Sequence, residues 1–517
     1  MPRCALPALL GALTTSALAC TMYAQSPGAP GHIALQEAID YVLEHGTEPQ
    51  LGERQVRMGE GALLAARAPF DTRLTTALST TRTNGASLGT GDDGPTPILT
   101  TTIASSVALP KRFRSGVVVV PRVDIERSQL SDIPGAFTSR ATVGLDATVP
   151  LLRDRGGGAA AAGERAAHRV LDAAVLDARH SAATSVLAVV IAYWSDLAAE
   201  QRLEVYRSSE LRASRLVDDT RRLVDADERP AADLDQLMAN LALKRAMRLT
   251  GEQASVEARE QLAITMGMER DASDLLRRAT TSFPEVRSDS TTPDGAIERR
   301  ADPASWADAL GRRADLAALR ARRDAAEIQV GAARNGLLPR LDLQVGLGYQ
   351  GIASERGLGG ALSSLYRNVP GLDASVQLSY ELPFASLAAR GEALRSAAAN
   401  DQLRLREAEL VRHIASGVRV ARAALQHGRD ALLASRAAVA LSREAVESEK
   451  RKFQLGMSTL FDVILAEDAL TNARLGEIAG QQAFAVAIVR LRYETGVILD
   501  ASSEVPRVNA ASLEREP

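Results

Sequence analysis

The chain has 517 residues, and 61 lysine and arginine residues against 64 aspartate and glutamate residues give a formal net charge of −3. This balance excludes a nucleic-acid partner, because proteins that bind nucleic acid carry a strong excess of basic residues. Aromatic residues make up only 3% of the chain. Runs of alanine take their place, a composition that suits long, closely packed helices.

No group of residues in the sequence has the spacing of a known catalytic or metal site. The only two cysteines, Cys4 and Cys20, lie near the start, so a structural disulfide or a cysteine metal site is excluded from the remainder. The histidines form no ligand pair with a carboxylate, and no P-loop, G-x-S-x-G or dinucleotide-binding glycine motif is present. We therefore expect no catalytic residue, no metal and no cofactor.

Residues 1–24 have the pattern of a secretory signal peptide. A positive charge precedes a short apolar run, and small residues lead to Ala19, so cleavage after Ala19 or after Ala24 fits. Cleavage after Ala19 would make Cys20 the first residue of the mature chain. Cys20 is then either lipidated or an ordinary residue, because Ala17 stands where a lipobox usually has leucine. In both cases the protein leaves the cytoplasm.

The rest of the chain has no run of about 20 apolar residues, the length that a membrane-spanning helix needs. Instead, apolar and polar residues alternate over about ten residues in three segments, 140–149, 340–349 and 373–382. This pattern is typical of transmembrane β-strands, and it also fits a soluble sheet with one buried face. Export without a helical span favours strands that cross a membrane.

Two long segments without proline predict unusually long helices, at about residues 160–225 and 387–453. At 1.5 Å per residue, each helix would be near 100 Å long. Each is followed by a break and a returning helix, at about residues 230–266 and 459–493. Proline at the first break and glycine at the second explain why the chain reverses there.

The second half of the sequence repeats the plan of the first. Asp233 and Asp462 lie 229 positions apart, and so do Gly267 and Gly496, which end the returning helices. This constant offset indicates a duplicated helical hairpin. The first repeat also contains two further strands, at 101–109 and 117–125, and this extra hairpin either enters the main sheet or extends a surface loop.

We predict nine segments, which are, in chain order, the signal peptide (1–24), N-terminal helices (25–69), strands of the first repeat with the extra hairpin (70–150), a long helical hairpin (151–270), a linker (271–304), helices that open the second repeat (305–339), its strands (340–383), a second long helical hairpin (384–499) and a C-terminal tail (500–517).

At this point the sequence resembles the TolC family of outer-membrane efflux and secretion channel proteins. The clearest match is to the tip of the family's helical hairpin, through Phe453, Gly456, Ser458, Asp462, Val463 and Ala466. Residues 192–197 are similar to the aromatic patch on the family's first long helix. Residues 313–316 are similar to the start of its second half, with Ala314 where proline is usual. The resemblance covers about residues 33–499.

The resemblance implies a mixed α and β fold with an internal two-fold structural repeat. A β-barrel in the cell outer membrane, built from a few strands per protomer and closed by trimerisation, would continue into a long α-helical coiled-coil barrel in the periplasm. The expected partners are two further copies of the chain, outer-membrane lipid, a periplasmic adaptor (membrane fusion) protein and an inner-membrane transporter. Four strands per chain would leave unpaired sheet edges, and a symmetric homotrimer would pair them.

The function that this resemblance implies is conduction without catalysis. The protein would be a passive exit duct of a tripartite efflux pump or of a type I secretion system. A soluble periplasmic coiled-coil protein, of adaptor or structural type, is the alternative, and an exported enzyme is a third interpretation that lacks any catalytic cluster.

Asp462 is the main candidate for the pore. It matches the first of two aspartates that ring the periplasmic entrance in members of this family, and Leu465 occupies the second matching position. Three copies would form one acidic ring that attracts cations. Asp462 also stands three residues after Thr459, where an acidic residue stabilises a helix N-terminus, and the two roles are compatible. Asp233, the counterpart in the first repeat, is the second candidate for the pore.

Four further residues are candidates for the hairpin tips or for contact with the adaptor: Gly456, Ser458, Phe453 and Pro230. Gly456 would permit the tight reversal, with or without a partner at the turn. Ser458 and Phe453 stand where some relatives have arginine and tyrosine, so a polar gate contact of that kind cannot form here. Pro230 is expected at the first helical position after the break.

Overall fold

The computed structural model describes residues 32–87, 96–130, 137–227, 230–268, 278–279, 281–286, 303–354, 358–367, 371–500 and 506–515. The signal peptide predicted at 1–24, including Cys20, lies outside the described residues. Most of the predicted linker at 271–304 also lies outside them.

Each repeat of the chain begins with helices, continues with strands and ends with a long helical hairpin. The first repeat contains β1 (His32–Ile33), α1 (Leu35–His45), α2 (Thr47–Arg67), β2 (Thr75–Ser87), β3 (Thr96–Ala108), β4 (Lys111–Arg112), β5 (Val118–Leu130), β6 (Phe137–Pro150), α3 (Gly157–Ala160), α4 (Ala162–Asp225) and α5 (Ala231–Met266).

A short strand, β7 (Arg278–Ala279), pairs in parallel with β1. The second repeat then contains α6 (Pro303–Arg312), α7 (Ala314–Asn335), β8 (Arg340–Ala353), α8 (Leu358–Arg367), β9 (Gly371–Glu381), α9 (Leu387–Gln454) and α10 (Leu460–Glu494), and the short helix α11 (Ala510–Leu513) follows. The mixed α and β class and the internal repeat predicted from the sequence are confirmed.

Six long strands form one antiparallel sheet in the order β2-β3-β5-β6-β8-β9, and the short β4 pairs with β5. The sheet of one chain therefore has six long strands, two more than the four counted without the extra hairpin. The extra hairpin of the sequence is β3 and β5, which are longer than predicted and lie within the sheet between β2 and β6. Both of its strands are hydrogen-bonded on both sides, so the hairpin is not a surface loop.

One face of the sheet is apolar on β6, β8 and β9, and on β2, β3 and β5 it carries apolar side chains among polar ones such as Arg82 and Arg127. The register places Ala147 opposite Val345, and Val345 opposite Val376, so the apolar positions of successive strands coincide. Many large apolar side chains on this face are exposed, among them Leu78, Ile103, Val107, Val143, Leu145, Leu347, Tyr349, Val376, Leu378 and Tyr380. The opposite face is polar, and there Arg122 binds Asp146 with 2.7 Å between Nε and Oδ2.

The long helices α4 and α9 have 64 and 68 residues, and the returning helices α5 and α10 have only 36 and 35. Near the sheet, α4 packs against α2 and α7 instead of α5. Glycines permit that close packing, because a Cβ on Gly52 would lie 3.0 Å from Cα of Ala178 in α4. Farther along α4, Gly251 of α5 packs in the same way against the ring of Tyr206.

The largest apolar core lies where the part of α4 that packs against α2 and α7 meets the part that packs against α5. Tyr193 and Trp194 of α4 are fully buried there, together with residues of α1, α5 and α10. The backbone N–H of Thr281 donates to the Tyr193 hydroxyl at 3.1 Å, and this hydroxyl lies 3.0 Å from the Ile33 carbonyl oxygen. The aromatic patch recognised in the sequence is therefore a packing element of the core.

One stretch of 18 residues in α4 is apolar enough to cross a membrane by length and composition, with a mean hydropathy of 1.5. Within the structure 61% of that stretch is buried. Burial of this kind is typical of the core helix of a folded domain.

Arg313 joins the start of α7 to the end of α10. Its guanidinium donates from Nε and Nη2 to the two oxygens of Asp315 at 3.0 and 2.7 Å, and from Nη1 to Glu494 at 2.9 Å. The same group lies 5.0 Å from the centre of the Tyr493 ring. Burial tends to raise the pKa of Asp315, but the hydrogen bonds and charge of Arg313 outweigh it and lower that pKa.

Candidate pore and hairpin-tip site

The tip of the second helical hairpin is a short turn between α9 and α10. Gly456 has a φ of +72°, in the left-handed region that side chains disfavour. Its N–H donates to the Phe453 carbonyl at 3.0 Å, and the N–H of Met457 donates to the Lys452 carbonyl at 2.9 Å. These bonds satisfy the last carbonyls of α9 in a Schellman arrangement, so the backbone at Gly456 accounts for the reversal.

Gly456→Ala should cost about 1–2 kcal/mol at the tip, because alanine disfavours the left-handed backbone. No atom would lie within 4 Å of the added Cβ, so the cost is conformational and not steric. Backbone amides around the turn should then exchange with solvent about 5–30 times faster.

Gly476→Ala is the matched control. Gly476 lies within α10 and also has open space around its Cβ position. Alanine there should stabilise the helix by about 1 kcal/mol. Equal exchange rates at the tip in the two variants would contradict the role of Gly456.

Asp462 is the third residue of α10 and forms a capping box with Thr459. The Asp462 N–H donates to the Thr459 hydroxyl at 3.3 Å, while the Thr459 backbone N–H donates to Asp462 Oδ2 at 3.0 Å. The Thr459 hydroxyl also donates to Asp462 at 2.6 Å. Hydrogen bonds from the side chain and backbone of Thr459 lower the pKa of Asp462, so this half-buried carboxylate is ionised at neutral pH.

Ser458 links Asp462 to a second carboxylate. Its hydroxyl donates to Glu449 on α9 and lies 3.3 Å from Asp462 Oδ2. The hydrogen bond from Ser458, followed by that from Lys452, lowers the pKa of Glu449. The tip thus presents two ionised carboxylates close to one hydroxyl group.

At the other hairpin, Pro230 immediately precedes α5. It is the N-cap residue, with extended backbone angles, and not the first helical residue as predicted. The Asp233 N–H donates to the Pro230 carbonyl at 3.1 Å. Asp233 is the third residue of α5, as Asp462 is of α10, so the two aspartates occupy equivalent positions in the repeats.

Phe453 points into the protein instead of outward at the tip. It is half-buried and packs against a cluster formed by Val217, Leu237, Leu241 and Leu460. This cluster joins α4 and α5 to α10. The exposed apolar side chains of the tip are Leu465, which the sequence placed at the second aspartate position, and three that it did not single out: Leu455, Met457 and Phe461.

The two helical hairpins are also joined by charged residues. Glu467 of α10 accepts from Nε of Arg212 on α4 at 2.7 Å and lies 2.6 Å from Nζ of Lys450 on α9. The adjacent Asp468 binds Lys244 of α5, whose side chain is only 6% exposed. Burial tends to raise the pKa of Glu467, but Lys450 and Arg212 outweigh it and lower that pKa. We call Glu467, Asp468, Arg212, Lys244 and Lys450 the inter-hairpin charge cluster.

The sequence did not predict the inter-hairpin charge cluster, because its partners lie up to 255 positions apart. Two adjacent carboxylates in the middle of a helix were the only local signal. Within the part of the chain that the structure describes, no group of three or more histidine, cysteine or acidic residues could hold a metal ion.

Residues 306–497 match the family model described as outer membrane efflux protein. No curated protein matches the chain at a significant level. The fold is similar to that of several solved outer-membrane channels, and the resemblance to the TolC family is confirmed.

The similar structures cover most of the chain. The outer-membrane channel OprN has 19% sequence identity and a TM-score of 0.65, over 89% of each chain. The outer membrane protein VceC from Vibrio cholerae has 17% identity and a TM-score of 0.64, over 89% of this chain and 96% of that chain. The CmeC channel of Campylobacter jejuni has 14% identity and a TM-score of 0.65, over 91% of this chain and 87% of that chain.

Proposed function

We propose that this chain, which carries the outer membrane efflux protein domain and the fold of outer-membrane channels, forms a homotrimeric exit duct. The duct would serve a tripartite efflux pump or a type I secretion system. It would conduct passively once a periplasmic adaptor and an inner-membrane transporter dock. The observation that carries this proposal is that the described part of one chain leaves two sheet edges and several apolar helix faces without a partner.

The sheet edges are complementary to each other. In the described part of the chain, β2 and β9 each pair with a strand on one side only. Because the six long strands alternate in direction, β2 and β9 run in opposite directions. The β9 edge of one copy can therefore pair antiparallel with the β2 edge of the next, a head-to-tail contact that closes a ring.

The long helices present apolar side chains that the single chain does not cover. On α9 they include Leu387, Leu394, Leu405, Val420 and Leu441, which are 65–75% exposed. On α5, Leu249, Val256 and Ile264 are 57–69% exposed. Spacings of seven residues, as from Leu387 to Leu394 and from Leu249 to Val256, are typical of helices that pack side by side. This seven-residue spacing favours packing of these helix faces against helices of neighbouring copies of the chain.

The exposed apolar face of the sheet supports a place in the outer membrane, with the helices extending into the periplasm. An apolar face of this extent is unsuited to water, which argues against the alternative of a soluble periplasmic adaptor or structural protein. Fractionation separates the two: a channel stays with the outer membrane until detergent is added, whereas the alternative protein is released without it.

Asp462→Asn is the test of the pore. Three copies of Asp462 would form an acidic ring at the entrance, and removal of its charge should lower the cation-to-anion permeability ratio at least about twofold. Asparagine can still accept the hydrogen bond from Thr459, so the helix cap is kept. The ratio is measured from the reversal potential of the protein in planar bilayers under a salt gradient.

Asp233→Asn removes the equivalent charge at the other tip, and we expect it to lower the ratio less than Asp462→Asn, because Asp462 is the main pore candidate. Because the pKa of Asp462 is lowered, the cation preference should persist as the pH falls, until it passes below the ordinary range of an aspartate near 4. An unchanged permeability ratio in Asp462→Asn would remove Asp462 from the pore. A protein that is monomeric and forms no channel would end the proposal as a whole.

The adaptor is proposed to bind at the hairpin tips. Gly456 and Ser458 lie there beside the exposed Leu455, Met457 and Phe461, and Pro230 lies at the other tip. Apolar side chains in the centre of a polar surface are typical of a protein interface. Phe453 would contribute indirectly, because it holds the tip against the neighbouring hairpin.

A further inference from the structure

The inserted hairpin consists of β3 and β5, and its strands are paired as regularly as the other long strands of the sheet. All 13 residues of β3 pair with β2, and β5 pairs with β6 from Val118 to Gln129. Its apolar side chains Ile103, Val107 and Val123 continue the apolar face near the helices, and Arg127 lies on that face farther from them. On the polar face, Arg122 binds Asp124 as well as Asp146 of β6.

The turn between β3 and β5 is held by the helical part of the protein. Arg114 binds Glu164 of α4 with a pair of hydrogen bonds of 2.6 and 2.8 Å, and its guanidinium lies 5.2 Å from the centre of the Phe70 ring. Lys111 donates to the Phe70 carbonyl at 2.7 Å. These contacts fix the turn of the hairpin at the junction between the sheet and the helices.

Gly116 shows how closely the turn approaches that junction. Its φ is +91°, and a Cβ would lie 2.5 Å from the carbonyl oxygen of Asp154, which is closer than atoms can approach. Only glycine fits there. The hairpin is therefore fixed at both long edges and at its turn, and each of these contacts holds it in the plane of the sheet.

We propose that the inserted hairpin is a segment of the barrel wall, so that three copies of the six-stranded sheet close 18 strands around a wide exit for bulky hydrated cargo. This inference rests on the proposed homotrimer. It concerns the width of the duct in the membrane, which the homotrimer alone does not determine.

The width follows from strand number. With strands about 4.8 Å apart and tilted about 40°, 18 strands give a backbone-to-backbone diameter of about 36 Å, against about 24 Å for 12 strands. Barrels of 16–18 strands leave an open aqueous channel. The polar face with Arg122, Asp124 and Asp146 would line this channel, so the cargo should be polar or hydrated at this level.

The hairpin can be removed without reversing any other strand. Deletion of residues 96–130 would join the end of β2 to the start of β6 through residues 88–95 and 131–136, and these strands already run in opposite directions. The deletion variant should close 12 strands. Electron cryo-microscopy of both proteins in lipid nanodiscs counts the strands directly, with 18 expected for the full chain.

Polymer exclusion measures the width of the exit. Neutral polyethylene glycols are added on the barrel side of a planar bilayer, and those that enter the barrel lower the conductance. The largest polymer that enters the full chain should be about 1.5 times or more as wide as the largest that enters the deletion variant. Equal cut-off sizes would contradict the inference.

If the deletion variant fails to fold, disulfide formation in the full-length chain can measure the pairing of the hairpin instead. Val123 lies opposite Val143 across β5 and β6, and Asp124 lies opposite Thr142. Adjacent pairs alternate between the wider and the closer geometry, so one of the two double-cysteine variants should form an intrachain disulfide. The chain has no cysteine after Cys20 to compete.

The outcomes separate the two proposals. A trimer with 12 strands in the full chain, or no disulfide in either double-cysteine variant, would overturn the inference and leave the proposed exit duct in place. A particle that is not a trimer would overturn both.

Discussion

Arg313→Ala should destabilise the folded chain by about 3–5 kcal/mol, the cost of breaking a buried ion pair by removing one partner. The Arg313 side chain is 9% exposed, and its partners Asp315 and Glu494 are 15% and 27% exposed. Alanine would leave both carboxylates partly buried without their cation. The loss is measured as a lower midpoint of thermal unfolding, followed by circular dichroism of the detergent-solubilised protein.

Two further variants distinguish the loss of the contacts of Arg313 with Asp315 and Glu494, which we call the Arg313 joint, from a general loss of positive charge. Arg313→Lys should recover only part of the stability, because an ammonium group cannot bind both oxygens of Asp315 in a plane while contacting Glu494. Arg312→Ala is the control for a neighbouring arginine, since Arg312 is 53% exposed and lies 3.9 Å from Asp308. An exposed pair of this kind contributes about 0–1 kcal/mol. Equal losses for Arg312→Ala and Arg313→Ala would contradict the role of the joint.

The dependence on pH gives an independent test of the same joint. The folded-state pKa of Asp315 is lowered, so its contribution to stability is complete above the unfolded value near 4 and is lost as the pH falls through the folded value. Arg313→Ala should abolish this acid-sensitive contribution to stability, because burial without the Arg313 cation raises the pKa of Asp315. A variant that keeps the acid sensitivity of the parent protein would show that another carboxylate is responsible.

Asp468→Ala should loosen the contact between the two helical hairpins and raise the resting conductance of the proposed channel. The Lys244 ammonium is nearly buried, so removal of its partner should cost toward the lower end of about 3–5 kcal/mol, because Asp468 itself is 35% exposed. The expected readouts are a larger single-channel current without an adaptor and greater sensitivity of the tip region to protease.

The control for Asp468→Ala replaces both charges. Lys244→Met with Asp468→Leu leaves no buried charge unpaired, and it should recover most of the stability. Asp219→Ala removes a partner of the exposed Arg222, which is 77% exposed, and should change neither current nor stability. A resting current in Asp468→Ala equal to that of the parent protein would show that the inter-hairpin charge cluster does not keep the helical part of the proposed channel closed.

Local patterns in the sequence predict the helices and their breaks well, because their causes are local. Gly456 and Pro230 mark the two reversals, and the left-handed Gly267 and Gly496 end the returning helices. Thr459 and Asp462 predict the capping box, which the structure shows. In each case one or two residues determine the backbone within a single turn.

Contacts between distant segments are less visible in the sequence. Alternation marks β3 and β5 as strands, but their place between β2 and β6 depends on which strands they pair with. Phe453 was assigned to the tip by its position in the chain, and the apolar cluster that covers it comes from three other helices. The inter-hairpin charge cluster depends on a similar long-range arrangement.

The unequal lengths of the long and returning helices have a consequence for the shape of the proposed duct. Where α5 and α10 end, α2 and α7 take over beside α4, and α7 also lies beside α9. Each chain therefore contributes four helices to a cross-section near the sheet and four helices to a cross-section near the tips. In the proposed homotrimer, twelve helices would then surround the axis at both levels, so the helical part would have nearly the same diameter near the sheet and near the tips.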